Sequence, residues 1–193
     1  MAHKLQVLPK KTPPPATAWP GGVSAVAPGV PPLALRPALP EDDGFLFRVY
    51  AGLGAVVPDA PRMGLLRRQF EREDLRYRKS FPAADFSVVL RGAERIGRLY
   101  VDHGPERIRI LDLALLPECR NSGLGSLLLT VLLVEADWVG KPLEVEVPRF
   151  HRALGLFERF GFRRTGGSDG LLVLEGATVG SRPSGRPAGL SPR

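Results

Sequence analysis

Apolar and polar positions follow two regimes along this chain. Between Leu33 and Glu175 they recur with a period, and outside that span they do not. "LALRPAL" (Leu33 to Leu39) alternates and predicts a short strand. "PEDDGFLFRVYAG" sets a proline and three acids ahead of apolar residues, as a helix start does where the macrodipole favours negative charge. In "PRMGLLRRQFEREDLRYRKSF", Met63, Leu66, Phe70 and Tyr77 recur at helical spacing, and the arginines and acids between them lie outward. "DFSVVL" and "RIGRLYVD" flank a turn at Gly92 and predict a hairpin. "RIRILDLALLP" alternates and then becomes continuously apolar, as a buried strand does. "SLLLTVLLVEADW" predicts a helix that stops at Gly140, and "PLEVEV" another strand. "RFHRALGLFERFGF" predicts an amphipathic helix with Phe150, Ala153, Leu154, Phe157 and Phe160 on one face. "RRTGGSDGLLVLEG" closes as two short strands around a Gly-rich turn. The order β-α-α-β-β-β-α-β-α-β-β predicts one three-layer α/β domain around a mixed sheet.

The flanks differ in kind. Residues 1–32 and 177–193 are dense in Pro, Gly, Ala or Ser and carry no periodic apolar face, so both are expected to be disordered, leaving 33–176 as the domain. They also hold most of the charge. The net charge of +7 first suggests nucleic acid, but residues 1–32 carry three lysines and no acid, and 176–193 three arginines and no acid. The remainder is nearly balanced, which weighs against nucleic acid as the partner. The longest strong apolar run, "LLLTVLLV", is far short of the ~20 residues that span a bilayer. Cys119 is the single cysteine, which excludes an intrachain disulfide and a four-cysteine metal site and makes a reducing cytoplasm the expected location.

Candidate chemistry gathers in "PECRNSGLGSLLL". A buried strand, small residues and a helix start make an anion site, because the first helical N–H groups are unpaired and carry the positive end of the dipole. Gly123 and Gly125 leave room for a phosphate, Arg120 can add a charge-assisted hydrogen bond, and Ser122 and Ser126 can add hydroxyls. A P-loop would need Gly-Lys-Ser/Thr, which is missing. A dinucleotide fingerprint would need a third glycine where Leu128 stands, although Glu144 lies at a suggestive distance downstream. Arg-x-x-Gly-x-Gly fits residue by residue.

"LALLPECRNSGLGSLLL" resembles the acetyl-CoA-binding motif of the GNAT superfamily of acyl-CoA-dependent N-acyltransferases. "FHRALGLFERFGFRRTG" resembles that family's next motif, with its Gly161-Phe162 ending, and "RIGRLYV" its third strand, with Gly97 in the usual place. The resemblance implies a central mixed sheet splayed at its fourth and fifth strands, with helices on both faces. It implies that a pantetheine arm pairs with the backbone of Leu113, Ala114 and Leu115 as an added strand does. It implies that pyrophosphate rests on the amides of Asn121, Ser122, Gly123, Leu124, Gly125 and Ser126. The implied activity is transfer of an acetyl group from acetyl-CoA to a primary amine, on a small molecule or a protein.

The chain departs from the family pattern at three positions. Phe157 stands where the family often has a tyrosine near the cofactor sulfur, and it cannot donate a proton. His151 stands where an asparagine often contacts the cofactor arm. Arg109, eleven residues before Arg120, stands where a glutamate base is common. Asp112 is the nearest carboxylate on that strand and the candidate base, since burial makes a carboxyl group more basic. Phe70 and Tyr77 fall in the region that lines acceptor pockets in the family. A catalytically weak acyl-CoA-binding module is the rival expectation, raised by Phe157 and the missing glutamate.

Overall fold

The computed structural model of the protein describes residues 32–52 and 59–176. The expected terminal segments therefore lie outside the described residues, apart from Pro32 at the domain boundary. The strands are β1 (Leu33–Pro37), β2 (Asp85–Arg91), β3 (Glu94–His103), β4 (Ile108–Leu115), β5 (Leu143–Pro148), β6 (Arg163–Gly167) and β7 (Leu171–Gly176). The helices are α1 (Asp43–Ala51), α2 (Ala60–Ser80), α3 (Leu124–Val139) and α4 (Leu154–Arg159). Short 3-10 turns at Pro40–Asp42 and Pro117–Cys119 lead towards α1 and α3. One sheet holds all seven strands in the order β1-β2-β3-β4-β5-β7-β6. Only the β4–β5 pair is parallel among them.

Strand alternation sorts the core into two layers. Val88 and Leu90 face α1 and α2 and pack with Leu46, Phe47, Tyr50 and Phe70. Val89, Leu99, Val101 and Leu115 face the other way, with Leu128, Leu129, Leu132 and Ala136 of α3. The α1 entry is fixed by Asp42, whose fully buried carboxylate accepts from the Leu39 amide at 2.9 Å and from Arg36 at 2.6 and 2.8 Å. The Asp59 side chain caps α2 by accepting from the Arg62 amide at 3.0 Å.

Two features of β4 position the site. It pairs with β5 only from Ile108↔Leu143 to Ile110↔Val145, after which β5 continues beside β7 and leaves β4 with an open edge. At the same point β4 bulges, because Tyr100 faces Asp112 and Val101 faces Ile110, which leaves Leu111 without a partner on β3. Gly97 holds β3 tightly against the far end of β4, since a Cβ there would lie 2.4 Å from the Ala114 carbonyl oxygen and 2.7 Å from Leu115.

One predicted element is shorter than the pattern suggests. The helix expected from Arg149 begins only at Leu154, and Phe150 is 94% exposed rather than part of the apolar face. The Arg149 amide still donates to Gly170 at 3.1 Å and the His151 amide to Pro148 at 2.9 Å. The chain is thus held to the neighbouring hairpin until it turns into α4.

Candidate active site

The open edge of β4 is polar and points into the gap. The Leu116 amide donates to Ile96 of β3 at 2.9 Å, and an antiparallel strand alternates the direction of its peptide groups. The peptide groups of Leu111, Leu113 and Leu115 therefore face away from β3. Two side chains reach into that edge. The Tyr77 hydroxyl donates to the Leu111 carbonyl at 2.9 Å, and Arg120 Nε donates to the Leu115 carbonyl at 2.9 Å. Between them stand the N–H and C=O of Leu113 and the N–H of Leu115, with Ala114 turned to its β3 partner Arg98.

The glycine loop closes the wide end of this gap. Asn121 and Gly123 both take left-handed backbone, with φ of 58° and 81°. That conformation turns the chain from the Pro117–Cys119 turn into α3, with the first helical amides leading. A Cβ on Gly123 would meet nothing within 4 Å, and one on Gly125 would meet only Leu156 at 3.7 Å. Protein packing therefore does not demand a glycine at 125, where a Cβ would make an ordinary contact with Leu156, and the space beside Gly123 is open. The Ser122 hydroxyl donates to the Cys119 carbonyl at 2.7 Å and so braces the loop. The Cys119 thiol is buried, and burial raises it above its ordinary value.

Arg120 and Arg152 lie near enough for their charges to repel. Burial first, and then the charge of Arg152, push the Arg120 guanidinium below its ordinary value. Two cations held close favour a polyanion between or beside them. Arg152 escapes the sequence reading, and its place beside the His151 motif position is the signal that could have found it. His151 accepts from the Ala153 amide through Nδ1 at 3.3 Å, which leaves its proton on Nε2 in the neutral ring. Burial, then Arg152, hold it below its ordinary value, so the neutral ring predominates at neutral pH. His151 and Arg152 also line a cavity of about 490 Å³ with Phe150, Asp169 and Gly170.

The remaining candidates separate. Phe157 is 4% exposed and packs edge-on against Phe162, with ring centroids 5.3 Å apart, so it is core. Phe70 is core as well, 5.5 Å from the Tyr50 ring and 5.8 Å from that of Phe47. Asp112 forms an ion pair with Arg98, a 4% exposed guanidinium stacked between the rings of Tyr50 and Tyr100 at 5.4 and 5.1 Å. Arg109 pairs with Glu144 at 3.1 Å and Asp102 at 3.4 Å. Glu144 is thereby engaged at the end of β4 remote from the glycine loop, where the acid of a dinucleotide site has no use. Tyr77 alone of the two acceptor-side candidates reaches the gap. No group of three or more His, Cys, Asp or Glu is placed to hold a metal among the described residues. No described helix is long and apolar enough to cross a membrane.

Residues 82–164 match the family model described as "Acetyltransferase (GNAT) domain". No curated protein matches the sequence. Among solved structures, an acetyltransferase from Thermus thermophilus is similar with a TM-score of 0.55 and 22% identity, covering 74% of this chain and 95% of that one. The PaiA N-acetyltransferase of Thermoplasma acidophilum, in complex with coenzyme A, has a TM-score of 0.54 and 18% identity over 75% of this chain and 98% of its own. The ribosomal-protein-S18-alanine N-acetyltransferase of Escherichia coli has a TM-score of 0.53 and 14% identity over 76% and 94%. Residues 82–164 are thus similar to a GNAT acetyltransferase domain, and the described residues share the fold of these solved acetyltransferases.

Proposed function

We propose that the protein, through the domain at 33–176, moves an acetyl group from acetyl-CoA to a primary amine. The observation that carries this reading is the open stretch of β4 at Leu113 and Leu115, adjoining a loop of forward-facing amides. A pantetheine arm is a chain of amides and fits an unpaired strand edge, while a diphosphate fits a helix start flanked by Arg120 and Arg152. The open space beside Gly123 suits the same anion. The coenzyme A complex of the Thermoplasma acidophilum structure supports the assignment.

Acetyl-CoA supplies an activated acyl carbon, and the chain's own residues bind, orient and manage protons. The amides of Asn121 to Ser126 hold the diphosphate, and the Leu113 and Leu115 peptides align the arm. Tyr77 keeps a neutral hydroxyl at the narrow end, because burial, then the charges of Asp112 and Glu73, push it above its ordinary value. His151 stands at the end of β5 as a neutral ring able to donate through Nε2.

Thiol release from acetyl-CoA with and without a panel of amines tests the reading. Amine-dependent thiol release supports it. The rival, a catalytically weak acyl-CoA-binding module, is favoured by one observation, the hydroxyl-free and buried Phe157. Tight coenzyme A binding with no amine-dependent release would establish the rival.

A further inference from the structure

An ammonium cannot attack a thioester, so the proposed reaction needs a proton acceptor beside the acceptor amine. Asp112, the candidate from sequence, has its charge set against the buried guanidinium of Arg98. A second carboxylate lies on the same face of the sheet. Glu73 of α2 has a side chain 32% exposed, so solvent and substrate can reach it. The Tyr77 hydroxyl lies 3.3 Å from Glu73 Oε1 and 2.9 Å from the Leu111 carbonyl, where β4 bulges and leaves β5. Glu73 therefore lies beside the narrow end of the gap, next to a hydroxyl whose one proton goes to Leu111.

We infer that Glu73, beside Tyr77, is the base that takes the proton of the acceptor amine. The inference rests on the acetyltransferase reading. The surroundings of Glu73 come from four elements. From α1, Tyr50 is held above its ordinary value by burial, then by the charge of Glu73 and a hydrogen bond to it. From α2 come Tyr77 and the exposed Arg76, whose guanidinium stays 3.8 Å away. From β3 comes Arg98, whose charge interacts with that of Glu73, and from β4 comes Asp112, paired with Arg98. Asp112 is in direct contact with the buried Arg98, whereas the cation paired with Glu73 is the exposed Arg76, at 3.8 Å.

An ammonium N–H breaks and its proton passes to a Glu73 oxygen. The freed lone pair attacks the thioester carbonyl carbon, the C–N bond forms, and the C–S bond breaks with its electrons on sulfur. The second nitrogen proton passes to that sulfur to give the free thiol, and Glu73 returns its proton to water.

The experiment measures thiol release from acetyl-CoA by the full chain and by Glu73→Gln, with two nucleophiles at neutral pH. Propylamine is protonated there, and methoxyamine is not. Glu73→Gln should lose on the order of 100-fold with propylamine, within the usual range for general acid–base catalysis, and at least tenfold less with methoxyamine. The acidic limb of the kcat/KM profile with propylamine should move as well. Glu73→Asp should give the same split at smaller size and serves where the glutamine variant does not fold. Equal losses with both nucleophiles, or no loss, would overturn the assignment. Thiol release by the native chain with neither nucleophile would instead bring down the acetyltransferase reading, and the assignment with it.

Discussion

Gly125→Val separates the needs of the fold from those of the proposed ligand. Residue 125 lies in the first turn of α3, and its Cβ would meet only Leu156, at an ordinary contact distance of 3.7 Å. Valine is a better helix residue than glycine by about half a kcal/mol, so the folded variant should melt at or slightly above the native temperature. The added isopropyl group would crowd the loop amides on which the diphosphate is placed. Hydrogen bonds to a charged group contribute about 1.5–3 kcal/mol each. Displacing the anion from two loop amides therefore costs about 3–6 kcal/mol, or roughly 10²–10⁴-fold in affinity. Calorimetric titration with coenzyme A, beside a thermal melt of the same sample, reads both quantities. Native affinity in a folded Gly125→Val protein would refute the placement of the diphosphate.

Other expectations follow from particular contacts. Phe157→Tyr should change the turnover rate by less than about tenfold, below the range of a restored general acid, and should lower the melting temperature because its hydroxyl enters a packed contact with Phe162. Steady-state kinetics with an active amine and a thermal melt check both halves. His103 bridges β2 and α3, with Nδ1 3.1 Å from Asp85 and Nε2 3.0 Å from Glu135. The hydrogen bond to Glu135, and then the surrounding carboxylates against the opposing effect of burial, raise its pKa. A raised folded pKa stabilises below the unfolded value of about 6.5, and that contribution fades as pH rises through the folded value. Melting temperatures across that window should fall with rising pH in the native chain and fall less in His103→Gln, and parallel slopes would contradict the bridge.

The elements were legible where the signal is local. Gly123 and Gly125 ahead of the α3 leucines, and the apolar run into Leu115, mark a strand, loop and helix without reference to the rest of the chain. The period of α2 likewise places Phe70 inward correctly. What the local signal leaves unread depends on partners far along the chain. Nothing near Asp112 announces that Arg98 lies diagonally across from it, because their meeting is set by the β3–β4 register. Glu73 reads as one acid among arginines until Tyr77 is seen to reach Leu111. Phe150 fits a helical stripe on spacing alone, but the hydrogen bond from Arg149 to Gly170 keeps that segment beside the hairpin. The insertion of β7 between β5 and β6 is a matter of sheet order and leaves no local trace.

The central claim is that the open edge of β4 and the adjoining loop form the acetyl-CoA site. Amide hydrogen exchange with and without saturating coenzyme A tests it most directly. The account predicts slowed exchange at the amides of Leu113 and Leu115 and across Asn121 to Ser126. The β4 amides already bonded to β3 should change little. Saturable binding that leaves Leu113, Leu115 and the loop unprotected, with protection confined to the cavity at His151 and Asp169, would contradict it.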